Sequence, residues 1–314
     1  MSDPKTIDDV LVKWGERLFY PRVRFQDSRT PRLALPSSKD RAAYFRARIE
    51  ATMLRRAPQV MVKVTGGGRG MKAIAAHFRY ISKHGKLEME DEFGRRSTGK
   101  EAVNDVLDEW RIGGTAIDDV GFRREALNIM LSMPSGTDPG AVVTAARAFA
   151  KAELMDHRYV MVLHDHQANP HVHLSVRAES KRGLRLSPRK ADLHRWREVF
   201  AEKLRELGID AEATRQGSRG EYRNHPAIWR VKAAGEGRPN FGRPNLKSGS
   251  AAIATRRDAS RAWIEIAAAL STSAAQEDQR LAESIRRSVI GPRNLGRDQP
   301  RHVPKDVRGP SVER

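Results

Sequence analysis

Cysteine is absent from the 314 residues. That excludes a disulfide framework, a Cys-ligated zinc finger, an iron–sulfur cluster and a thiol nucleophile. The absence fits a reducing compartment. Long apolar runs are missing too, and none approaches the roughly 18 residues of a membrane span. Met1 to Val12 is polar and acidic, without the apolar stretch of a signal peptide. The expectation is a soluble cytoplasmic protein with no membrane insertion. Acidic residues are in deficit, 39 Asp and Glu against 58 Lys and Arg, for a net charge of +19. Such an excess speaks of polyanionic partners rather than of a fold.

The charge is unevenly placed. Residues 1–57 hold 13 basic and 7 acidic residues, 58–180 hold 16 of each, and 181–314 hold 29 and 16. A neutral middle between two basic flanks suggests chemistry in the middle and polyanion binding at the sides. The expected division is a basic N-terminal arm over 1–57, a catalytic domain over 58–225, and a basic tail over 226–314 that is partly helical or disordered.

Periodicity places the elements. Residues 5–19 and 39–56 read as helices, with an irregular stretch from Pro21 to Ser38. Val60 to Val64 reads as a strand closed by glycines, and Met71 to Lys83 as an amphipathic helix stopped by Gly85. A short strand over Leu87–Phe93 and a helix over Glu101–Ile112 follow. Ala126 to Met133 is a strand, and Asp138-Pro139 caps a helix running to Leu154. Tyr159–His164 and His171–Arg177 are strands joined by a turn at Asn169-Pro170, and Asp192–Leu207 is a helix. Two further helices are expected near Ala259–Leu270 and Ala274–Val289. Adjacent strands joined by a tight turn must be antiparallel. The expected fold is α+β, a mostly antiparallel sheet of about five strands covered by helices.

Five of the ten histidines fall between His157 and His173. His171 and His173 share one face of a strand, about 6.5–7 Å apart. The turn returns His164 beside them. Three imidazoles on rigid strands make an open site for a divalent cation, Mg or Mn foremost, with Zn, Ni and Co also compatible. Asp165 or Glu179 is placed to orient a ring N–H. No Gly-x-Ser-x-Gly elbow supplies a nucleophile, and Gly66-Gly67-Gly68-Arg69-Gly70 lacks the Gly-Lys-Ser/Thr of a Walker loop. The backbone N–H groups of that glycine run are candidates for a phosphate contact. Tyr80 is one of five tyrosines and has basic neighbours Arg79, Lys83 and Lys86. A phenol attacks a phosphodiester once it loses its proton and the phosphate charge is neutralised.

These motifs together resemble the conjugative relaxases, or mobilisation nucleases. The branch is that of the T-DNA border endonuclease and the broad-host-range plasmid relaxases. The resemblance rests on His164-x6-His171-x-His173 with Asn169-Pro170, on Tyr80-Ile-Ser-Lys-His-Gly-Lys-Leu-Glu, and on Ser132-Met133-Pro134-Ser135-Gly136-Thr137, in that family's order. It spans roughly residues 58–222. It implies a divalent metal on His164, His171 and His173, and Tyr80 as nucleophile on single-stranded or melted DNA. The product is a 5′-phosphotyrosine link at a transfer origin. Where the family has an acidic residue two places after the first histidine, this chain has His166, with Asp165 one place earlier. The base or supporting role falls to one of these two. DNA contacts are expected from Arg79, Lys83, Lys86, Arg185, Arg189, Lys190, Arg215 and Arg219. Implied partners are relaxosome accessory proteins and a secretion coupling protein. A rolling-circle initiator or transposase with the same chemistry, and a non-catalytic DNA-binding accessory protein, are the competing readings.

Overall fold

The computed structural model describes residues 6–20, 37–219 and 249–290. The chain divides into two compact units, Met1–Arg215 and Gln216–Arg314.

The first unit is built on a six-stranded antiparallel sheet in the order β1-β4-β6-β5-β2-β3. The strands are β1 (Met61–Gly66), β2 (Met89–Asp91), β3 (Arg96–Ser97), β4 (Ala126–Ser132), β5 (His157–His164) and β6 (His171–Ser180). The α+β expectation holds, with six strands where about five were read. The additional strand is the two-residue β3, which closes a hairpin with β2. Both are too short to show a period-2 pattern.

Alternation along the strands separates two cores. One face sets Ile129 and Leu131, Tyr159 and Met161, and Val172, Leu174 and Val176 against α5 (Pro139–Glu153) and α6 (Lys190–Glu206). The other sets Val160 and Val162 of β5 against α3 (Met71–Ile81) and α4 (Lys100–Ile112). On α3 the buried residues Met71, Ile74, Phe78 and Ile81 form the stripe expected of an amphipathic helix. Asp138 caps α5 through the N–H groups of Gly140 and Ala141.

Residues 6–20 and 37–57, read from sequence as a basic arm, carry α1 (Ile7–Phe19) and α2 (Ser38–Glu50), the latter running into a π-helical turn, Ala51–Arg55. Both lie in the same compact unit as the sheet. The physical reason is a buried ionic network. Arg48 on α2 donates to Glu198 of α6 at 2.7 and 3.2 Å and to Glu212 at 2.8 and 3.1 Å. Its Nη1 also donates to the hydroxyls of Tyr20 and Tyr44. Burial opposes the arginine's charge, but Glu198 and Glu212 hold it firmly protonated, while burial pushes the Glu198 carboxyl up. A count of charges cannot distinguish such an arginine from a solvated one. The stretch Pro21–Ser38 lies outside the described residues except at its last two positions.

In the second unit α7 (Ser250–Ser271) and α8 (Gln276–Ile285) form a hairpin, and α8 continues as a π-helical turn, Arg286–Ile290. Trp263, Ile266, Leu270, Leu281 and Ile285 are buried there, and the Trp263 indole donates to the Ser218 carbonyl. These are the two helices expected from periodicity. The rest of the expected tail lies outside the described residues.

Two predictions concern stability. Arg48→Met strands two buried carboxyl groups and should cost about 3–5 kcal/mol in urea unfolding, a typical loss when one partner of a buried ion pair is removed. Adding Glu198→Gln and Glu212→Gln should recover part of it. Burial pushes His194 down to about 4, and its Nε2–H donates to the Phe19 carbonyl at 2.8 Å. The unfolded chain therefore protonates this residue first. Stability from His194 is complete above about pH 6.5 and is lost as pH falls toward about 4. The urea midpoint should drop over that window, and less steeply in His194→Gln.

Candidate metal centre and nucleophile

The register of β5 on β6 assembles the site. His164 pairs with His171, and Val162 with His173. Paired residues and alternate residues share a face, so all three histidines project on the α3 side. Their ring centroids are 5.0 Å (His164–His171), 4.7 Å (His164–His173) and 5.0 Å (His171–His173) apart. One ring nitrogen from each lies within 4.8 Å of the others. All three residues are buried.

Backbone carbonyls orient the rings. His164 Nε2 donates to the Ile81 carbonyl at 2.7 Å, which turns Nδ1 inward with its lone pair free. His171 Nδ1 donates to the Asn169 carbonyl at 2.9 Å, which leaves Nε2 as the free donor atom. Nδ1 of His173 is buried without a hydrogen-bond partner among the described residues. A metal ligand needs a neutral imidazole and a fixed tautomer. Burial, reinforced by the neighbouring histidines, lowers His164 and pushes His173 down to about 3. The donor set therefore fits a divalent cation with open coordination positions.

The middle sequence motif braces this turn. The Met133 N–H donates to the Pro170 carbonyl at 3.1 Å, and the Ser135 N–H to Asn169 Oδ1 at 2.9 Å. Ser132, paired with His171, is buried with its hydroxyl toward the Pro170 carbonyl. Ser132–Thr137 thus holds the loop that carries His171.

Tyr80 stands beside the histidines, with its ring centroid 6.3 Å from that of His173. It is 67% exposed. Its place is set by how α3 ends. Lys83, His84 and Gly85 follow in the left-handed region, at φ 49°, 60° and 84°. The His84 N–H reaches the Arg79 carbonyl at 2.7 Å, and the Gly85 N–H reaches Ser82 Oγ at 3.0 Å. A Cβ on Gly85 would lie 2.4 Å from the Gly99 carbonyl carbon, so only glycine fits.

His77, which the sequence pattern did not single out, completes the cluster. It lies one turn before Tyr80 on α3, 6.3 Å from both the Tyr80 and the His173 rings. Its Nε2 is buried and unpartnered among the described residues, and burial pushes it down to about 4. Helical spacing from Tyr80 was the one signal available for it.

The remaining residues are dispersed. Asp165 and His166 are exposed on the turn, with the His166 ring 5.2 Å from that of His164. Glu179 is at the far end of β6, bonded to Thr115 and Arg185, and does not meet the histidines. His157 is there too, against the Arg177 carbonyl. Of the N–H groups at the glycine run and the start of α3, that of Gly68 is taken by the Ala126 carbonyl and those of Met71 and Lys72 by the Asp118 and Asp119 carbonyls. Arg79, Lys83 and Lys86 are exposed around Tyr80, and Arg189 and Lys190 are exposed at the start of α6. Arg185 is engaged by Glu125 and Glu179. Arg215 and Arg219 are half-buried.

A protein-family model described as "Relaxase: MobA/VirD2-like, nuclease domain" matches residues 80–209. The segment begins at Tyr80 and contains all three histidines. The T-DNA border endonuclease VirD2 of Rhizobium radiobacter is 25% identical to this chain, over 56% of the chain and 47% of that protein. The chain thus spans about half the length of that relative.

Metal binding is directly measurable. By calorimetry on chelator-treated protein, one Mn²⁺ should bind per chain and more tightly than Mg²⁺, because imidazole donors favour the later ion. His173→Ala should abolish the isotherm. Gly85→Ala should leave metal binding intact but destabilise the fold by more than the roughly 1 kcal/mol of an ordinary glycine exchange.

Proposed function

We infer that this chain, whose residues 80–209 match the MobA/VirD2-like relaxase nuclease model, is a strand-specific DNA nickase of that family that works by tyrosine transesterification. The observation that carries the reading is an exposed tyrosine ring 6.3 Å from one of three converging histidines. Tyr80 Oη attacks the phosphorus of one phosphodiester. An Oη–P bond forms as the P–O3′ bond breaks, and the 3′ oxygen leaves and takes up a proton. The product is a 5′-phosphotyrosine with a free 3′-OH, which conserves the ester bond for later rejoining. A divalent cation on His164, His171 and His173 would neutralise charge on the non-bridging phosphate oxygens.

The chain's own residues do the rest. The Ile81 and Asn169 carbonyls fix the imidazole tautomers. Arg79, Lys83 and Lys86 hold the flanking phosphates by charge, with affinity falling steeply as salt rises. His166, 5.2 Å from His164, and the adjacent Asp165 are the groups that receive the phenol proton on this reading. Arg189, Lys190, Arg215 and Arg219 extend the phosphate contacts. The substrate is a melted or single-stranded transfer origin. Accessory DNA-binding proteins expose it, a secretion coupling protein receives the covalent complex, and the reaction takes place in the cytoplasm. Among the described residues no helix is long and apolar enough to cross a membrane.

The test is adduct formation. Protein is mixed with supercoiled DNA of its own replicon and with oligonucleotides tiled across its flanks, with and without Mn²⁺ or Mg²⁺. A metal-dependent, denaturant-resistant protein–DNA band is expected, absent in Tyr80→Phe, which should still bind DNA. Tight binding with no adduct on any substrate would instead favour a non-catalytic accessory role.

A further inference from the structure

Beside the three histidines, part of the sheet face lies outside the second core. On the histidine face, β6 is followed by β4 and then by edge strand β1. Met130 pairs with His173, and Lys63 pairs with Met130. Ser132 pairs with His171, and Met61 with Ser132. These side chains therefore share the face of the histidines. Met61 and Lys63 are exposed, and Asn128 and Met130 half-buried. The second core, under α3 and α4, takes in Val160, Val162 and, at the start of β4, Ala126, but leaves out Asn128, Met130, Met61 and Lys63.

Helix α3 forms one wall. Positions 73, 76, 77 and 80 share one of its sides by spacing. His77 and Tyr80 meet His173, so this side overlooks β6 and β4. Ala73 and Ala76 on it are exposed and small, which keeps the wall low.

The far end is closed by a loop that the function so far leaves unused. The carbonyls of Asp118 and Asp119 and the N–H of Gly121 tie it to the start of α3. It presents Phe122 at 101% exposure, with Arg123 and Arg124 next in sequence. An aromatic ring held wholly in water on a pinned loop has no packing role. Arg123 pairs with Glu125, and Asp119 with Arg111. Lys63, Arg69 and Arg124 are exposed and have no carboxylate partner among the described residues.

We propose that this strip is a track for single-stranded nucleic acid leading away from Tyr80, with Phe122 stacking on a base at its far end. The inference rests on the reading of the chain as a nickase of single-stranded DNA. The strip joins a floor carrying Met61 and Met130, three uncompensated cations and one ring open on both faces. That combination suits a strand whose bases are free to stack and whose phosphates need counter-charge. A duplex keeps its bases stacked internally and offers none to Phe122. The five residues of β4 from Asn128 to Ser132, at about 3.4 Å each, give a track of about 15 Å. That is roughly four nucleotides at a stacked rise of about 3.4 Å.

The test is fluorescence polarisation with metal-free full-length protein. The probes are labelled dT15, the same length of abasic backbone, and a dT15–dA15 duplex. Phe122→Ala should weaken dT15 binding about tenfold or more without changing its salt dependence. Phe122→Trp should restore affinity, with tryptophan fluorescence quenched on binding. Phe122→Ala should leave abasic and duplex binding as in the unaltered protein. Lys63→Ala should lower the dT15 salt slope by about 0.7. Equal dT15 affinities for Phe122→Ala and the unaltered chain would overturn the track and leave the nicking chemistry standing. No binding of dT15 by the unaltered chain at low salt would overturn both.

Discussion

The pairing of His164 with His171 across β5 and β6 is the constraint on which the site depends. A one-residue slip would send His171 and His173 to opposite-facing positions relative to His164. The register is pinned from both sides. Leu163 and Met161 must stay over the α5–α6 core, and Val162 and Val160 under α3. The hydrophobic demand of two cores thereby fixes the positions of three imidazoles. Hydrogen bonds from the turn, through Asn169 and Pro170 to Met133 and Ser135, hold the loop between them.

The second element, Tyr80, arrives on a helix whose buried stripe leaves no freedom of rotation. Phe78 and Ile81 are fully buried, which turns Tyr80 and His77 outward over His173. The Ile81 carbonyl that ends this helix also accepts the His164 ring N–H. One backbone group therefore links the tyrosine's helix to the three histidines. A shift of α3 would move Tyr80 and the carbonyl that orients His164 together.

Much of this was legible in the sequence, for physical reasons that differ by residue. The tight Asn169-Pro170 turn dictates an antiparallel pair, and period-2 alternation then dictates that His171 and His173 share a face. The stripe Ile74, Phe78, Ile81 dictates which way Tyr80 turns. Other features depend on partners distant in the chain and left no local trace. Arg48 looks like one more cation of a basic flank until Glu198 and Glu212, 150 and 164 positions away, are brought against it. The glycine run looks like an anion loop until the Ala126 carbonyl takes the Gly68 N–H and the Asp118 and Asp119 carbonyls take those of Met71 and Lys72 just after it. Glu179 is near His173 in sequence but some six strand residues, about 20 Å, along β6 from it. His77 gains meaning only from packing on a strand nearly a hundred residues later.

The central claim is that Tyr80 carries the DNA across a site held by three histidines. It is tested most directly by trapping the covalent complex with Mn²⁺, trimming the DNA with nuclease, and mapping the modified tryptic peptide by mass spectrometry. The account predicts a nucleotide-bearing peptide Tyr80–Lys83, with the phosphate on the tyrosine and no adduct when His173 is alanine. A phosphate on any other residue, or an adduct that survives His173→Ala, would contradict it.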